Sequence, residues 1–408
     1  MSSHFIFLLI SILFVFDFLW EQLLDYLNFK RIPDQLPQEA KGIYTEEKYQ
    51  ASVAYLRDKD RFGFISTTFG FVLSAIMLFA GGFGWLDAYL RLYVSNPIVL
   101  SLVFFGIVFL ASDVLGLPLQ LYSTFVIEEK HGFNKTSLKT FFLDKLKGYV
   151  LGVVIGGAVG YLFLWLVLSM GAYFWLIFWG IATVLVLCLN MFYTSLILPL
   201  FNKLTPLEEG GLKSAIETYC QKEGFPGTKV FVIDGSKRST KANAFFSGLG
   251  SQKKVVLYDT LIKNHSTEEL VAVLAHEVGH YKKKHIVQGF AASILQMGLM
   301  LFILSLFVFN PALSEALGGK QLSIHLNLIA FGLLISPVSM VSGLIMNLVS
   351  RKNEFEADDF AKMTYSGQEL ATALKKLSVD NLSQLTPHPL YVFFHYSHPP
   401  VLERLKRL

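Results

Sequence analysis

Long apolar stretches separated by polar segments dominate the pattern of this chain. A helix needs about 20 mostly apolar residues to cross the roughly 30 Å hydrocarbon core of a membrane. The stretches that meet this requirement predict seven membrane-spanning helices, near residues 4–27, 62–84, 97–121, 149–169, 173–198, 287–309 and 325–349. A very short turn near residues 169–172 joins the fourth and fifth. The chain is therefore predicted to be mainly α-helical and to cross the membrane several times.

The polar region 203–285 alternates helical and extended patterns. A helix is expected near residues 206–223, strands at 229–233 and 254–258, and an extended segment at 242–246, with a further helix at the end. We expect a small α+β domain there. The predicted organisation is a five-helix membrane region, this domain, two further membrane helices and a C-terminal helical segment, at residues 1–202, 203–285, 286–349 and 350–408.

Composition supports the membrane interpretation. Hydrophobic residues make up 53% of the 408 residues and charged residues only 16%, against about 25% charged in typical soluble proteins. The net charge of +4 is small, and no basic run is interleaved with aromatic residues, which argues against a nucleic-acid partner. Neither Cys188 nor Cys220 has a second cysteine nearby, so neither a disulfide framework nor a cysteine zinc site is expected.

Basic residues predict the orientation, because short cytosolic loops of membrane proteins are enriched in lysine and arginine. Such residues are frequent in every second loop and nearly absent from the others, which hold Arg91 and Lys320. We expect an external N-terminus, with the α+β domain and the C-terminus in the cytosol, in a bacterial inner membrane or, in a eukaryote, the endoplasmic reticulum. The first apolar stretch lacks a basic leader and a cleavage site, so it is interpreted as a retained helix.

Residues 276–280, His-Glu-Val-Gly-His, carry the clearest chemical signal. Helix positions four apart share a face, so His276 and His280 can direct two imidazoles at one metal while Glu277 flanks them. Catalytic zinc sites add a third protein ligand and keep one position for water. Helix formers precede the motif, and Ser266 suits an N-cap. The pattern predicts a zinc-dependent peptidase, with a chance match on a surface helix as the alternative.

The third ligand must come from elsewhere in the chain. Metzincin spacing would need glycine and histidine where Lys283 and Ile286 stand, which excludes that subclass. His285 is off the ligand face and is predicted to be a solvated or membrane-interface histidine. We favour Glu354, on a helix continuing from the last apolar stretch, with Asp358 one turn later as a hydrogen-bond acceptor for a ligand histidine. A solvated acidic helix face is the alternative.

Several segments together resemble the Ste24-type CAAX prenyl protease family of integral-membrane zinc metalloproteases. They are residues 128–136, 243–248, 276–280, 354–358 and 397–405. Smaller membrane zinc proteases of the HtpX type share only part of this set. Departures are Glu356, where the family commonly has glutamine, and Tyr281, where it commonly has tryptophan.

The resemblance implies a role for each matching residue. It implies a zinc site of His276, His280 and Glu354, one Zn²⁺ per chain. The implied catalytic residues are Glu277, as the carboxylate base, Asp358, in ligand orientation or proton transfer, and His398, near the metal. The implied substrate-binding residues are Asn243, Ala244 and Arg404. The implied fold is a ring of seven helices around a large hydrated chamber, with the small α+β protease domain.

The expected function is removal of the C-terminal tripeptide from prenylated CAAX proteins or peptides, by a water that zinc activates and Glu277 deprotonates. The alternatives are a broad-specificity membrane quality-control protease and, from another class, a transporter with a structural zinc. The expected partners are a peptide or protein substrate and the lipid bilayer; the oligomeric state is open.

Asp17 and Asp113 lie in apolar stretches and are expected to face the bundle interior or to pair between helices.

Overall fold

The computed structural model describes residues 2–224, 229–247 and 254–408, and most of them are helical. The helices are α1 Ser3–Lys30, α2 Glu46–Phe79, α3 Gly82–Leu90, α4 Pro97–Tyr122, α5 Leu138–Leu151, α6 Gly157–Met170, α7 Phe174–Phe192, α8 Leu198–Phe201, α9 Gly211–Lys222, α10 Asp259–Asn264, α11 Thr267–Lys282, α12 His285–Phe307, α13 Pro311–Ala316, α14 Ile324–Leu334, α15 Ser336–Ala361, α16 Gly367–Asp380, α17 Pro389–His395 and α18 Val401–Leu405. The strands are β1 Leu204–Pro206, β2 Lys229–Ile233, β3 Ala244–Ser247 and β4 Lys254–Tyr258.

Five stretches of the described chain are helical, long and apolar enough to cross a membrane, and the bent pair α14–α15 makes a sixth. One of the five, Leu138–Phe201, has 64 residues, which at 1.5 Å per residue would extend about 96 Å, far more than one crossing needs. It turns at Gly171, whose φ is 54°, and α6 packs against α7 after the turn. This stretch therefore contains two spans. The prediction of a mainly helical, multi-pass protein with about seven spans is confirmed.

Two spans differ from their predicted bounds. The second predicted span, 62–84, falls mostly in a longer helix that begins at Glu46 and ends at Phe79, because Gly81 adopts a left-handed φ of 72° and caps the start of α3. The seventh, 325–349, is bent by 53° between α14 and α15. Pro337, in the first turn of α15, has no N–H to continue the hydrogen bonds of α14, which accounts for a break at this point.

The described strands form one sheet in the order β1-β2-β4-β3. The central pair β2–β4 is parallel, and β1 and β3 are antiparallel to their neighbours. The bounds of β2 and β4 are those predicted, and the extended segment 242–246 corresponds to β3. The three-residue β1 was not predicted, and Gly248, which ends the segment 243–248, lies outside the described residues. Within the described sheet, β3 is an edge strand.

One hydrophobic core joins the sheet to α9, α11 and α16. The helix α11 contributes Leu270, Leu274 and Val278 to it, at helical spacing. Another side of α11 packs along α15. Gly279 permits this approach, since a Cβ at that position would lie only 3.1 Å from the Cα of Ala357. The close contact brings the polar face of α15 beside the His-Glu-Val-Gly-His motif.

The two acids in the apolar stretches have different surroundings. Asp113 on α4 accepts hydrogen bonds from Lys145 and Tyr149 of α5, so it pairs between helices. Asp17 lines a cavity of about 430 Å³ between α1, α15 and α17, where Glu21 faces His395 at 3.3 Å. Each of the two expected environments is therefore present once.

Candidate metal centre and active site

The motif helix α11 is fixed at its first turn by a capping box. The Ser266 side chain accepts a hydrogen bond from the Glu269 N–H, and the Glu269 carboxylate accepts one from the Ser266 N–H. This arrangement satisfies backbone donors that have no partner inside the helix. Lys376 of α16 also donates to Glu269, at 2.8 Å. The predicted N-cap at Ser266 is confirmed, and α11 is anchored to the C-terminal segment.

The three predicted zinc ligands lie together between α11 and α15. One ligand atom from each of His276, His280 and Glu354 lies within 4.8 Å of the other two. The Nε2 atoms of the two histidines are 3.2 Å apart. Glu354 Oε1 is 3.2 Å from Nε2 of His280, and Oε2 is 3.5 Å from Nε2 of His276. Two imidazole nitrogens and a carboxylate therefore converge on one point, as a catalytic zinc site requires.

The surroundings of Glu354 suit a bound cation. It is buried, with 4% of its surface exposed, and its Oε2 makes no hydrogen bond among the described residues; Nε2 of His276 and Nη1 of Arg404 face it at 3.5 Å. A buried carboxylate oxygen without a hydrogen bond is costly, and a metal ion would give it a closer partner. Burial opposes ionisation, but the neighbouring imidazoles of His276 and His280 outweigh it and hold the pKa of Glu354 well below its usual range. The donor set and its charge suit zinc.

Asp358 and Arg404 lie behind His276. Asp358 Oδ1 is 2.9 Å from Nδ1 of His276, and its two oxygens accept hydrogen bonds from Arg404 at 2.6 and 2.8 Å. Burial lowers the pKa of His276, but hydrogen bonds to Asp358 and Glu354 outweigh it and raise that pKa to about 9. The carboxylates around His276 therefore favour positive charge at this place. A cation bound by the ligand atoms would provide that charge in place of a proton on His276.

Glu277 lines a cavity of about 290 Å³ together with the three ligand residues. Asn243, Ala244, His398 and Arg404 line the same cavity, so every site residue expected from the sequence except Asp358 reaches it. The His398 side chain is largely exposed, and its Nε2 is 3.3 Å from Glu354 Oε1. The guanidinium of Arg404 is held by Asp358, and its substrate-binding role stays a prediction.

The edge strand beside the cavity is held by residues outside the motifs. Asn381, after α16, uses its side-chain oxygen and nitrogen to bond the N–H and the carbonyl of Ala242, at 3.2 and 3.3 Å. Lys241 donates to Glu128 Oε2 and to the Tyr55 hydroxyl, both at 2.8 Å. These contacts connect the start of β3 to the C-terminal segment and to the membrane helices.

The prediction that His285 is solvated is wrong. It is buried, and its Nδ1 lies 3.1 Å from Nδ1 of the ligand residue His280. Helical spacing would have directed it away, but α11 ends before it. Lys284 has a φ of 62° and begins a new helix, α12, with His285 as its first residue. This left-handed residue between the two helices changes the direction in which His285 points, and its imidazole meets that of His280.

Two further residues near the site were missed from the sequence. Asn381 carries no local signal, because its partner Ala242 is 139 positions away. Gly279 was read only as a motif position, although a glycine three residues after a ligand on a buried helix is a signal for close helix packing.

Two family profiles together match nearly the whole chain. A family profile described as the CAAX prenyl protease N-terminal region, with five membrane helices, matches residues 25–203, and the profile of peptidase family M48 matches residues 206–408.

Similar relatives include a CAAX prenyl protease 1 homolog of Oryza sativa subsp. japonica, 39% identical, with 91% of this chain and 90% of the relative covered. The CAAX prenyl protease 1 of Saccharomyces cerevisiae is 34% identical, with 98% and 94% covered. The crystal structure of S. mikatae Ste24p matches with a TM-score of 0.93 at 34% identity and covers 98% of each chain.

Proposed function

The chain belongs to peptidase family M48 and is a multi-pass membrane metalloendopeptidase; from this premise we propose that it removes the C-terminal tripeptide of prenylated CAAX proteins or peptides. The proposed cofactor is one zinc ion held by His276, His280 and Glu354. The observation that carries the proposal is the convergence of two imidazole nitrogens on the buried carboxylate of Glu354, whose Oε2 makes no hydrogen bond among the described residues. Relatives that span more than nine tenths of this chain are called CAAX prenyl protease 1.

Glu277 is the base of the proposed reaction. When bound, zinc polarises a peptide carbonyl and lowers the pKa of a water molecule to about 7. Glu277 accepts the proton of the attacking water and then donates it to the amine of the departing peptide. Asp358 and Arg404 hold the His276 ring in place through its Nδ1 atom. His398 lines the cavity with its Nε2 3.3 Å from Glu354, and its proposed role is to donate a hydrogen bond to the oxygen of the attacked carbonyl.

The edge strand β3 suggests how a peptide binds. An extended peptide that adds to β3 beside Asn243 and Ala244 would be positioned by main-chain hydrogen bonds, which do not depend on side-chain identity. Selectivity for prenylated chains then arises from the membrane helices, which keep a lipid in an apolar phase while its peptide reaches the cavity. The proposed orientation has the cavity and the C-terminus in the cytosol, in accord with the distribution of lysine and arginine.

Glu277→Gln tests the catalytic assignment. Cleavage is expected to fall by about 100- to 10,000-fold, because general base catalysis is lost, while zinc content stays at one ion per chain. Zinc is measured by elemental analysis of protein purified in detergent, and cleavage is measured on a farnesylated CAAX peptide. A fully active variant would refute the peptidase mechanism.

Substrate class is tested with a farnesylated CAAX peptide and its unprenylated twin. The prenylated peptide is expected to be cleaved with a higher kcat/KM. Equal values would favour a broad-specificity quality-control protease instead. The zinc-dependent mechanism would survive that outcome.

A further inference from the structure

The two ligand histidines have different neighbours on their non-ligand nitrogens. His276 directs Nδ1 at the carboxylate of Asp358. His280 directs Nδ1 at another imidazole, Nδ1 of His285, 3.1 Å away. The other nitrogen of His285, Nε2, lies 3.3 Å from Oε2 of Glu356 on α15. A series of side chains therefore leads from the ligand residue His280 to the carboxylate of Glu356, two positions before Asp358 on α15.

Proton placement along this series is determined by the ligand role of His280. A neutral histidine that ligates through Nε2 carries its proton on Nδ1. That proton can only be donated to His285, so Nδ1 of His285 must be the acceptor. A neutral His285 then has its own proton on Nε2, where the Glu356 carboxylate accepts it. Each donor meets one acceptor, and the network assigns both tautomers without conflict.

The backbone and the packing support a built arrangement. His285 is 6% exposed, and its ring meets that of His280 edge to face, with centroids 5.2 Å apart. The left-handed conformation of Lys284, at φ 62°, brings His285 back to the site. Left-handed backbone is costly for a residue with a side chain and persists where the surroundings require it. Glu356 is on the same helix as Glu354, so α15 supplies both a ligand and the carboxylate that ends this series of side chains.

We propose that His285 and Glu356 are positioning residues for the zinc ligand His280, and that they hold its imidazole in the ligating tautomer and orientation as Asp358 and Arg404 do for His276. This role rests on the proposed zinc function. Residues that orient metal-binding histidines typically contribute about 10- to 100-fold to metal affinity. The chain carries glutamate at 356, so its carboxylate makes His285 a stronger acceptor than a neutral amide would.

Zinc affinity of the full-length protein in detergent, measured by competition with a chromogenic chelator, tests this role. His285→Leu removes both hydrogen bonds and is expected to weaken zinc binding by about 10- to 100-fold. His285→Asn keeps an acceptor near the Nδ1 position and is expected to recover part of the loss. Glu356→Gln keeps a neutral partner and is expected to cost only a few-fold, since charge-assisted hydrogen bonds are roughly twice as strong as neutral ones.

The matched control is Glu268→Gln, an exposed glutamate in the first turn of α11, which should leave zinc affinity unchanged. Thermal unfolding of the metal-free proteins separates positioning from stability, because a purely structural role would lower the unfolding temperature without changing chelator competition. Wild-type affinity in His285→Leu would overturn the inference. If the wild-type protein bound no stoichiometric zinc, the proposed function itself would fail.

Discussion

Two buried clusters of histidine and carboxylate lie at the two ends of the bent helix pair α14–α15, and they are built differently. In the first, His325 at the start of α14 contacts Asp87 of α3 at 2.8 Å and Ser101 of α4 at 3.0 Å. Arg91 donates to both oxygens of Asp87, and Ser323 donates to one of them. The second cluster is the proposed zinc site, at the far end of α15.

The first cluster is complete within itself. None of its buried side-chain atoms is without a hydrogen-bond partner in the part of the chain that the structure describes, whereas Glu354 Oε2 is. Ser101, His325 and Asp87 even stand in the order of a serine-hydrolase triad. However, all three are 2% exposed or less, and the Ser101 hydroxyl also contacts the carbonyl of Pro97. Burial of histidine and carboxylate alone does not identify a functional site. The second cluster differs because it lines a cavity and has a carboxylate oxygen that makes no hydrogen bond among the described residues.

Removing a zinc ligand should have the largest effect. Glu354→Gln replaces the carboxylate with a neutral amide, which is a poorer ligand, and is expected to weaken zinc binding by more than the roughly 100-fold typical of residues that only orient a ligand. Peptide cleavage should fall with it. If this variant bound zinc about as tightly as the wild type, the second cluster would not be a metal site, and the proposed difference between the two clusters would be wrong.

Separating the helices that carry the zinc site should come next. Gly279→Val places side-chain carbons against Ala357 and Phe360, where a Cβ alone already approaches within 3.1 Å. Overpacking of this kind costs about 1–3 kcal/mol, and a 1 Å displacement of reacting groups can cost about 100-fold in rate. Gly289→Val on α12 is the control, because a Cβ there meets nothing within 4 Å. Equal activities of the two variants would show that close packing of α11 on α15 does not set the site.

Breaking the complete cluster should affect stability instead. Asp87→Ala leaves His325 and Arg91 without their carboxylate partner and is expected to lower the free energy of unfolding by about 3–5 kcal/mol. Zinc affinity and kcat should stay at the wild-type level below the unfolding temperature. Thermal unfolding and chelator competition on the same preparation measure both quantities. A loss of kcat in folded protein would mean that the two clusters are coupled.

The smallest effect is expected for Ser101→Ala. The variant removes one partner of a buried imidazole, which costs about 1–3 kcal/mol of stability. Cleavage of the farnesylated peptide should not change, since Ser101 is not expected to act as a nucleophile. Loss of cleavage without loss of stability would contradict this.

The sequence predicted most of the zinc site because its signals are local or belong to recognisable segments. His276, Glu277 and His280 share one helix, and β2 and β4 follow from short apolar runs with turn residues beside them. The positions that were missed depend on the chain's path. The position of His285 depends on the left-handed turn at Lys284, and a three-residue strand such as β1 exists only because β2 pairs with it.

The cluster around Asp87 could not be predicted for the same reason. Its members lie on α3, α4 and α14 or directly beside them, and each is a single polar residue in an apolar surrounding. Only the packing of these three helices shows that they form one network. The bend before α15 is a partial exception, because a proline in an apolar helix predicts a break.

We expect the tilt of α15 in the bilayer to influence the position of Glu354. Glu354 lies eighteen residues beyond Ser336, the first residue after the 53° bend, or about 27 Å along the helix axis. A tilt of about 2° around that bend moves Glu354 by about 1 Å, which exceeds the roughly 0.5 Å within which catalytic groups must be held. Because the tilt of a spanning helix responds to bilayer thickness, the cleavage rate should depend on lipid chain length even for a peptide that never enters the membrane. Reconstitution in vesicles of two acyl lengths measures this dependence, and equal rates would show that α11 alone fixes the position of Glu354.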